Sequence, residues 1–130
     1  MFKRKPSNTI DSLIGVSASI EGDVHFKGGL RIDGKVNGSV IAEPGQASML
    51  VISELARITG EVRGGHLVIN GEIVGAVHST ELLELQPKAR ITGDVFYKTL
   101  EMHGGALIAG NLTHGEPAEV PLLKLAASKA

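Results

Sequence analysis

The chain contains no cysteine and no tryptophan, and aromatic residues occupy 3% of its 130 positions, with Tyr97 the single tyrosine. The missing cysteines exclude a disulfide framework, a thiolate nucleophile and a Cys-type zinc site. The missing rings mean that a core has to be built from Ile, Val, Leu and Ala, small side chains that pack well on a pleated sheet. An excess of either charge is also absent. Thirteen Lys and Arg stand against 14 Asp and Glu, for a net charge of −1, which excludes the basic footprint of a general nucleic-acid binder. No apolar run approaches the ~18 residues of a membrane-spanning helix. The basic start MFKRKPSNTIDS lacks the apolar segment that would make it a secretory signal. Neither G-x-x-x-x-G-K-[ST] nor G-x-G-x-x-G occurs, so no nucleotide and no other cofactor is expected. These absences leave a single-domain, non-enzymatic cytoplasmic protein as the expectation.

What is present is repetition. ARITGEV at residues 56–62 returns as ARITGDV at 89–95. A looser form (small, any, Ile/Val, any, Gly, any, Val/Leu) occurs six times, with its glycine at Gly22, Gly38, Gly60, Gly75, Gly93 and Gly110. The spacings are 16, 22, 15, 18 and 17, and the long one contains AEPGQ (42–46), which reads as an inserted turn. A second motif, Leu-x-Ile/Leu/Met, falls between the copies at Leu30/Ile32, Leu50/Ile52, Leu67/Ile69, Leu83/Leu85 and Leu100/Met102. Its second members are 20, 17, 16 and 17 apart. Two independent column sets with one period define an internal repeat. Seventeen of the 130 residues are glycine, well above the average of ~7%. At a fixed place in a repeat, glycine signals backbone geometry rather than a flexible linker.

Within each copy the apolar positions alternate with polar ones, which is strand geometry. Ile58, Val62, Ile91 and Val95 are expected inside, with Arg57, Glu61, Arg90 and Asp94 facing water. Arg31, Glu84 and Glu101 are the outward residues of the second motif. Propeller blades need ~40–45 residues and leucine-rich repeats ~20–29. Short strands every ~17 residues, with no helical stretch between them, fit a parallel β-helix whose equivalent residues stack rung on rung. Seventeen residues divide into three short strands with tight corners, predicting a three-sided prism of six rungs, roughly 29 Å long at ~4.8 Å per rung. Rungs of 15 to 22 residues depart from the strict hexapeptide period of left-handed β-helices, so a right-handed one is expected.

The segments IEGDVHFKGGLRIDGKVNGSV, LVISELARITGEVRGGHLVINGEIVGAVHSTELLEL and PKARITGDVFYKTLEM resemble the bactofilin family, and the likeness spans roughly residues 10–115. The leader MFKRK is similar to the short Met-Phe-basic start of many members. The resemblance implies a right-handed β-helix and a bacterial cytoskeletal protein. It implies polymerisation without nucleotide into non-polar filaments on the inner face of the cell membrane, and scaffolding of cell-wall (peptidoglycan-synthesis) and cell-polarity proteins. The alternative class is a hexapeptide-type acyltransferase acting as a trimer, against which the irregular period argues.

Three candidate sites follow. Met1, Phe2, Lys3, Arg4 and Lys5 match a minimal membrane-surface anchor: each basic residue contributes ~1 kcal/mol near an anionic leaflet, and a buried Phe ring ~1.5–3 kcal/mol. The two ends of the rod are the polymerisation surfaces, with Val16, Ile20, Val24 and Phe26 on the first rung and Leu107, Ile108 and Leu112 on the last. Of the five histidines, His25 and His78 share a column and should both face out. Three rungs apart, they are roughly 14 Å from each other and unable to share a metal, so no metal site is expected. The expected organisation is a disordered leader (1–13), a β-helix (14–115) and a flexible tail (116–130). The tail's Leu122, Leu123 and Leu125 could instead cap the last rung or bind a partner.

Overall fold

A computed structural model describes residues 10–115. The first rung is β1 (Ser12–Ile14), β2 (Ser19–Glu21) and β3 (Val24–Phe26), and the second is β4 (Gly28–Ile32), β5 (Lys35–Asn37) and β6 (Val40–Ala42). The third is β7 (Ser48–Ile52), β8 (Arg57–Thr59) and the first part of β9 (Val62–Ile69). The fourth takes the rest of β9, β10 (Glu72–Val74) and the start of β11 (Val77–Leu85). The fifth is the rest of β11 with β12 (Arg90–Thr92) and β13 (Val95–Tyr97), and the sixth is β14 (Thr99–Met102), β15 (Leu107–Ala109) and β16 (Leu112–His114). Every pairing is parallel and joins a strand to its equivalent one rung away. The result is a three-sided parallel β-solenoid of six rungs. β1 begins at Ser12, two residues before the domain boundary expected from sequence.

The repeat columns become the core. On the second side Ile20, Val36, Ile58, Ile73, Ile91 and Ile108 stack in register. On the third side Val24, Val40, Val62, Val77, Val95 and Leu112 do the same. On the first side the Leu-x-Ile pairs form a double column. Ile58, Val62 and Val95 are fully buried and Ile91 is nearly so, while Arg57, Arg90 and Asp94 are exposed. Glu61 is half-buried instead, because its carboxylate is held between Arg63 (2.6 Å) and His78 (3.0 Å).

The corners explain the uneven period. The corner between the second and third sides is always two residues, a repeat glycine and one more. Gly38, Gly60, Gly75, Gly93 and Gly110 adopt φ of 149–158°, a region that favours glycine. A Cβ at any of them would stand 2.1–2.3 Å from the carbonyl oxygen of the glycine one rung before. This contact leaves the inter-rung ladder unbroken: Gly60 N–H donates to Val74 O at 2.9 Å and Val62 N–H to Ala76 O at 2.9 Å. The residue after the glycine often extends the ladder with its side chain, since Asp23 Oδ1 accepts from Ser39 N–H (2.8 Å) and Asp94 Oδ1 from Asn111 N–H (3.1 Å).

The corner between the first and second sides has two lengths. Where it is two residues, Asp33-Gly34 or Asn70-Gly71, only glycine fits, because a Cβ would meet Gly15 O at 2.3 Å or Ser53 O at 2.2 Å. Where it is four residues, an Ala (Ala18, Ala56, Ala89 or Ala106) closes it. This is the "small" position of the repeat. At the third corner AEPGQ forms the expected insert after β6, with Gly45 at φ 82°, whereas β9 and β11 run straight through.

These contacts make a specific prediction about stability. Gly75→Ala combines a strained φ with a 2.2 Å clash on Gly60 O, and should lower stability by more than about 2 kcal/mol. Gly104, whose Cβ would meet nothing within 4 Å, should tolerate alanine to within about 0.5 kcal/mol. Chemical denaturation of the two variants measures the difference.

Candidate functional site

The two ends of the rod are where the repeating pattern is interrupted. Among the described residues, β1, β2 and β3 pair only with the rung above them, and β14, β15 and β16 only with the rung below. Among the described residues each end therefore presents three strand edges with no strand paired beyond them, the kind of edge that can template another strand.

The core columns are cut open at the same places. Val36, Ile58 and Ile73 are 0% exposed in mid-rod. The columns end at one side in the half-buried Ile14, Ile20 and Val24, and at the other in the half-buried Leu100 and Ile108, with Met102 46% and Leu112 44% exposed. Val16, 64% exposed, adds an apolar side chain from the turn between β1 and β2.

Of the end residues named from sequence, Ile20, Val24, Ile108 and Leu112 are thus terminal members of core columns. Two others are placed differently. Phe26 is buried, at 9% exposure. It stands in register with the buried Ala42 one rung on. Leu107 is 58% exposed but lies in the outward column with Arg57 and Arg90, on the flank rather than the end face. Ile14, Leu100 and Met102 were not singled out as end residues. The signal was available, because Leu100/Met102 is the last copy of the Leu-x-Ile motif and no further copy covers it. Met1, Phe2, Lys3, Arg4 and Lys5, and the tail 116–130, lie outside the described residues.

The histidines also depart from expectation. His25 is exposed, but His78, expected to face water, is 6% exposed. Its column does point outward; Phe96 one rung on covers it, stacking at 4.8 Å with planes 10° apart, and the Glu61 carboxylate one rung before closes on its Nε2. His66 and His103, which sequence spacing did not connect, flank a single carboxylate, that of Glu84.

Among the described residues the rod is all strand, and its two terminal rungs are unpaired on one side and end in apolar residues, which defines a class: a β-solenoid suited to continue by stacking. A family model described as bactofilin, polymer-forming cytoskeletal, matches residues 12–113. The chain belongs to the bactofilin family, and so to the polymer-forming cytoskeletal proteins. Among solved structures, it is similar to the Thermus thermophilus bactofilin in a cryo-EM reconstruction of double helical filaments, with 28% identity and a TM-score of 0.69 over 80% of this chain and 99% of that one. No curated protein sequence matches it. The family is a structural one rather than a catalytic one. Among the described residues there is no helix long and apolar enough to cross a membrane.

Proposed function

We propose that the chain polymerises without nucleotide into non-polar filaments through end-to-end contacts of its rods. In this reading the filament lies on the inner face of the cell membrane and positions cell-wall or polarity proteins. The observation that carries it is the pair of open ends. Burying such a face against another rung removes a few hundred Å² of apolar area, worth several kcal/mol at ~25 cal/mol per Å² less the cost of association. The backbone edges gain ladder hydrogen bonds at the same time. The driving force resides in the exposed ends, so no nucleotide is needed. Like ends meeting like ends give two isologous contacts that alternate along an open fibre.

Val24 and Leu112 test this together, as first and last members of one core column. Val24→Arg and Leu112→Arg should each leave the rod folded, because a terminal rung lets the charge reach water. Each should stop assembly at a dimer joined through its intact end, seen by sedimentation velocity. Filaments of wild-type length from both variants would refute end-to-end assembly. Monomers from each, with dimers only on mixing, would mean a head-to-tail filament.

The leader supplies the membrane contact. One copy of Phe2 with Lys3, Arg4 and Lys5 binds marginally, and many copies on a polymer bind by avidity. Phe2→Asp should release filaments from anionic liposomes in a sedimentation assay while filament length is unchanged. Undiminished liposome binding would remove the leader from the anchor.

A further inference from the structure

The outward residues of β11 and β14 put two carboxylates side by side. Glu84 and Glu101 are direct register partners on the fifth and sixth rungs, an arrangement in which like charges repel. Other carboxylates on the rod do meet lysine or arginine, as in Arg57–Glu72 and Lys88–Glu54. Among the described residues, the ion-pairing groups at this pair are imidazoles. His103 Nε2 lies 3.6 Å from Glu101 Oε2 and 3.8 Å from Glu84 Oε2, and His66 Nε2 lies 3.8 Å from Glu84 Oε1.

These distances are too long for hydrogen bonds. The His66 and His103 side chains are partly exposed (24% and 40%), but their Nε2 atoms face inward and have no hydrogen-bond partner, an arrangement that is unfavourable unless something fills it. Glu84 Oε2 accepts one hydrogen bond, from Gln86 Nε2 at 2.5 Å, which leaves it a free lone pair. Ligand atoms of Glu84, Glu101 and His103 all lie within 4.8 Å of one another. Two donors on one tetrahedral zinc-sized ion stand about 3.3–3.6 Å apart; the two His103–carboxylate gaps approach that spacing, and the Glu101 and His103 side chains, 56% and 40% exposed, have room to rotate and close the remainder.

We propose that Glu84, Glu101 and His103 form a binding site for a first-row divalent transition-metal ion, with zinc as its representative and His66 steadying the far oxygen of Glu84. A dication offsets the paired carboxylates and gives the His103 nitrogen a partner. The imidazole donor selects this class over magnesium or calcium, which prefer oxygen alone. The site is set on rigid backbone: Glu84 and Glu101 lie in paired strands, and His103 N–H donates to Leu85 O at 2.9 Å. It ties the terminal rung to the rung below, so the ion braces one of the two end faces.

The test is a calorimetric titration of the full-length protein with Zn²⁺, with Mg²⁺ as the control ion. The expected result is one Zn²⁺ per chain, no Mg²⁺ binding at the same concentration, and a rise in the thermal midpoint with Zn²⁺. Glu84→Gln and His103→Ala should each weaken Zn²⁺ binding at least about tenfold and abolish the thermal rise. His25→Ala, which removes an exposed histidine from the first rung, should change neither. Each variant's metal-free melt shows whether it is folded, and His103→Ala decides alone if Glu84→Gln is not. Absence of Zn²⁺ binding in the wild type, or equal binding in the wild type and the His103→Ala protein, would overturn the site.

Discussion

The structure depends on how closely backbone approaches backbone at one corner. Between the second and third sides, each repeat glycine after Gly22 sits on the carbonyl of the glycine one rung before, leaving no room for a Cβ. Because this two-residue corner recurs identically, it sets the register between rungs. A slip of one residue would turn every inward side chain outward. With register set, Ile falls on Ile and Val on Val, and a core without tryptophan can be filled by branched aliphatic side chains alone. Irregularity is confined to the other corners, where turns of two and of four residues both occur and the 42–46 insert is accommodated.

The same repetition makes the ends incomplete. A rung in mid-rod has its hydrogen bonds and its core columns satisfied above and below, whereas a terminal rung has one of each missing. The surface that fits a terminal rung best is another rung, so the interaction that folds the chain is also suited to joining chains. Membership of a polymer-forming cytoskeletal family is consistent with that physics. The lateral surface behaves differently. It is lined by charged columns and short ion pairs such as Arg31–Asp33 at 2.9 Å, and exposed pairs of that kind contribute at most about 1 kcal/mol each.

Much of this was legible in the residues because a solenoid converts sequence period directly into spatial stacking. The six glycines, the Ile/Val columns and the AEPGQ insert each fell where the spacing placed them. What was hidden depended on neighbours a full rung away. His78 lies in an outward column, yet Phe96 and Glu61 cover it from the rungs on either side. Phe26 is on the first rung, as expected, but its burial among the inward residues was not readable from its hydrophobicity alone. Leu107 lies in the outward column of Arg57 and Arg90, a placement the repeat spacing also makes readable. Glu84 and Glu101 are one period of 17 apart and could have been paired from sequence. His103 was readable too, since it follows the Leu100/Met102 pair directly, in the column of Asp33, Ser53, Asn70 and Gln86; what spacing did not show is that its ring turns toward the two carboxylates.

Rods that stack end to end with alternating direction fix the axial spacing of the filament. Fibre diffraction from filaments grown without nucleotide addresses it most directly. Six rungs at ~4.8 Å predict a strong meridional reflection at that spacing and an axial repeat of roughly 58 Å, two reversed rods. An axial rise per subunit far shorter than one rod, as in staggered side-by-side packing, would contradict it.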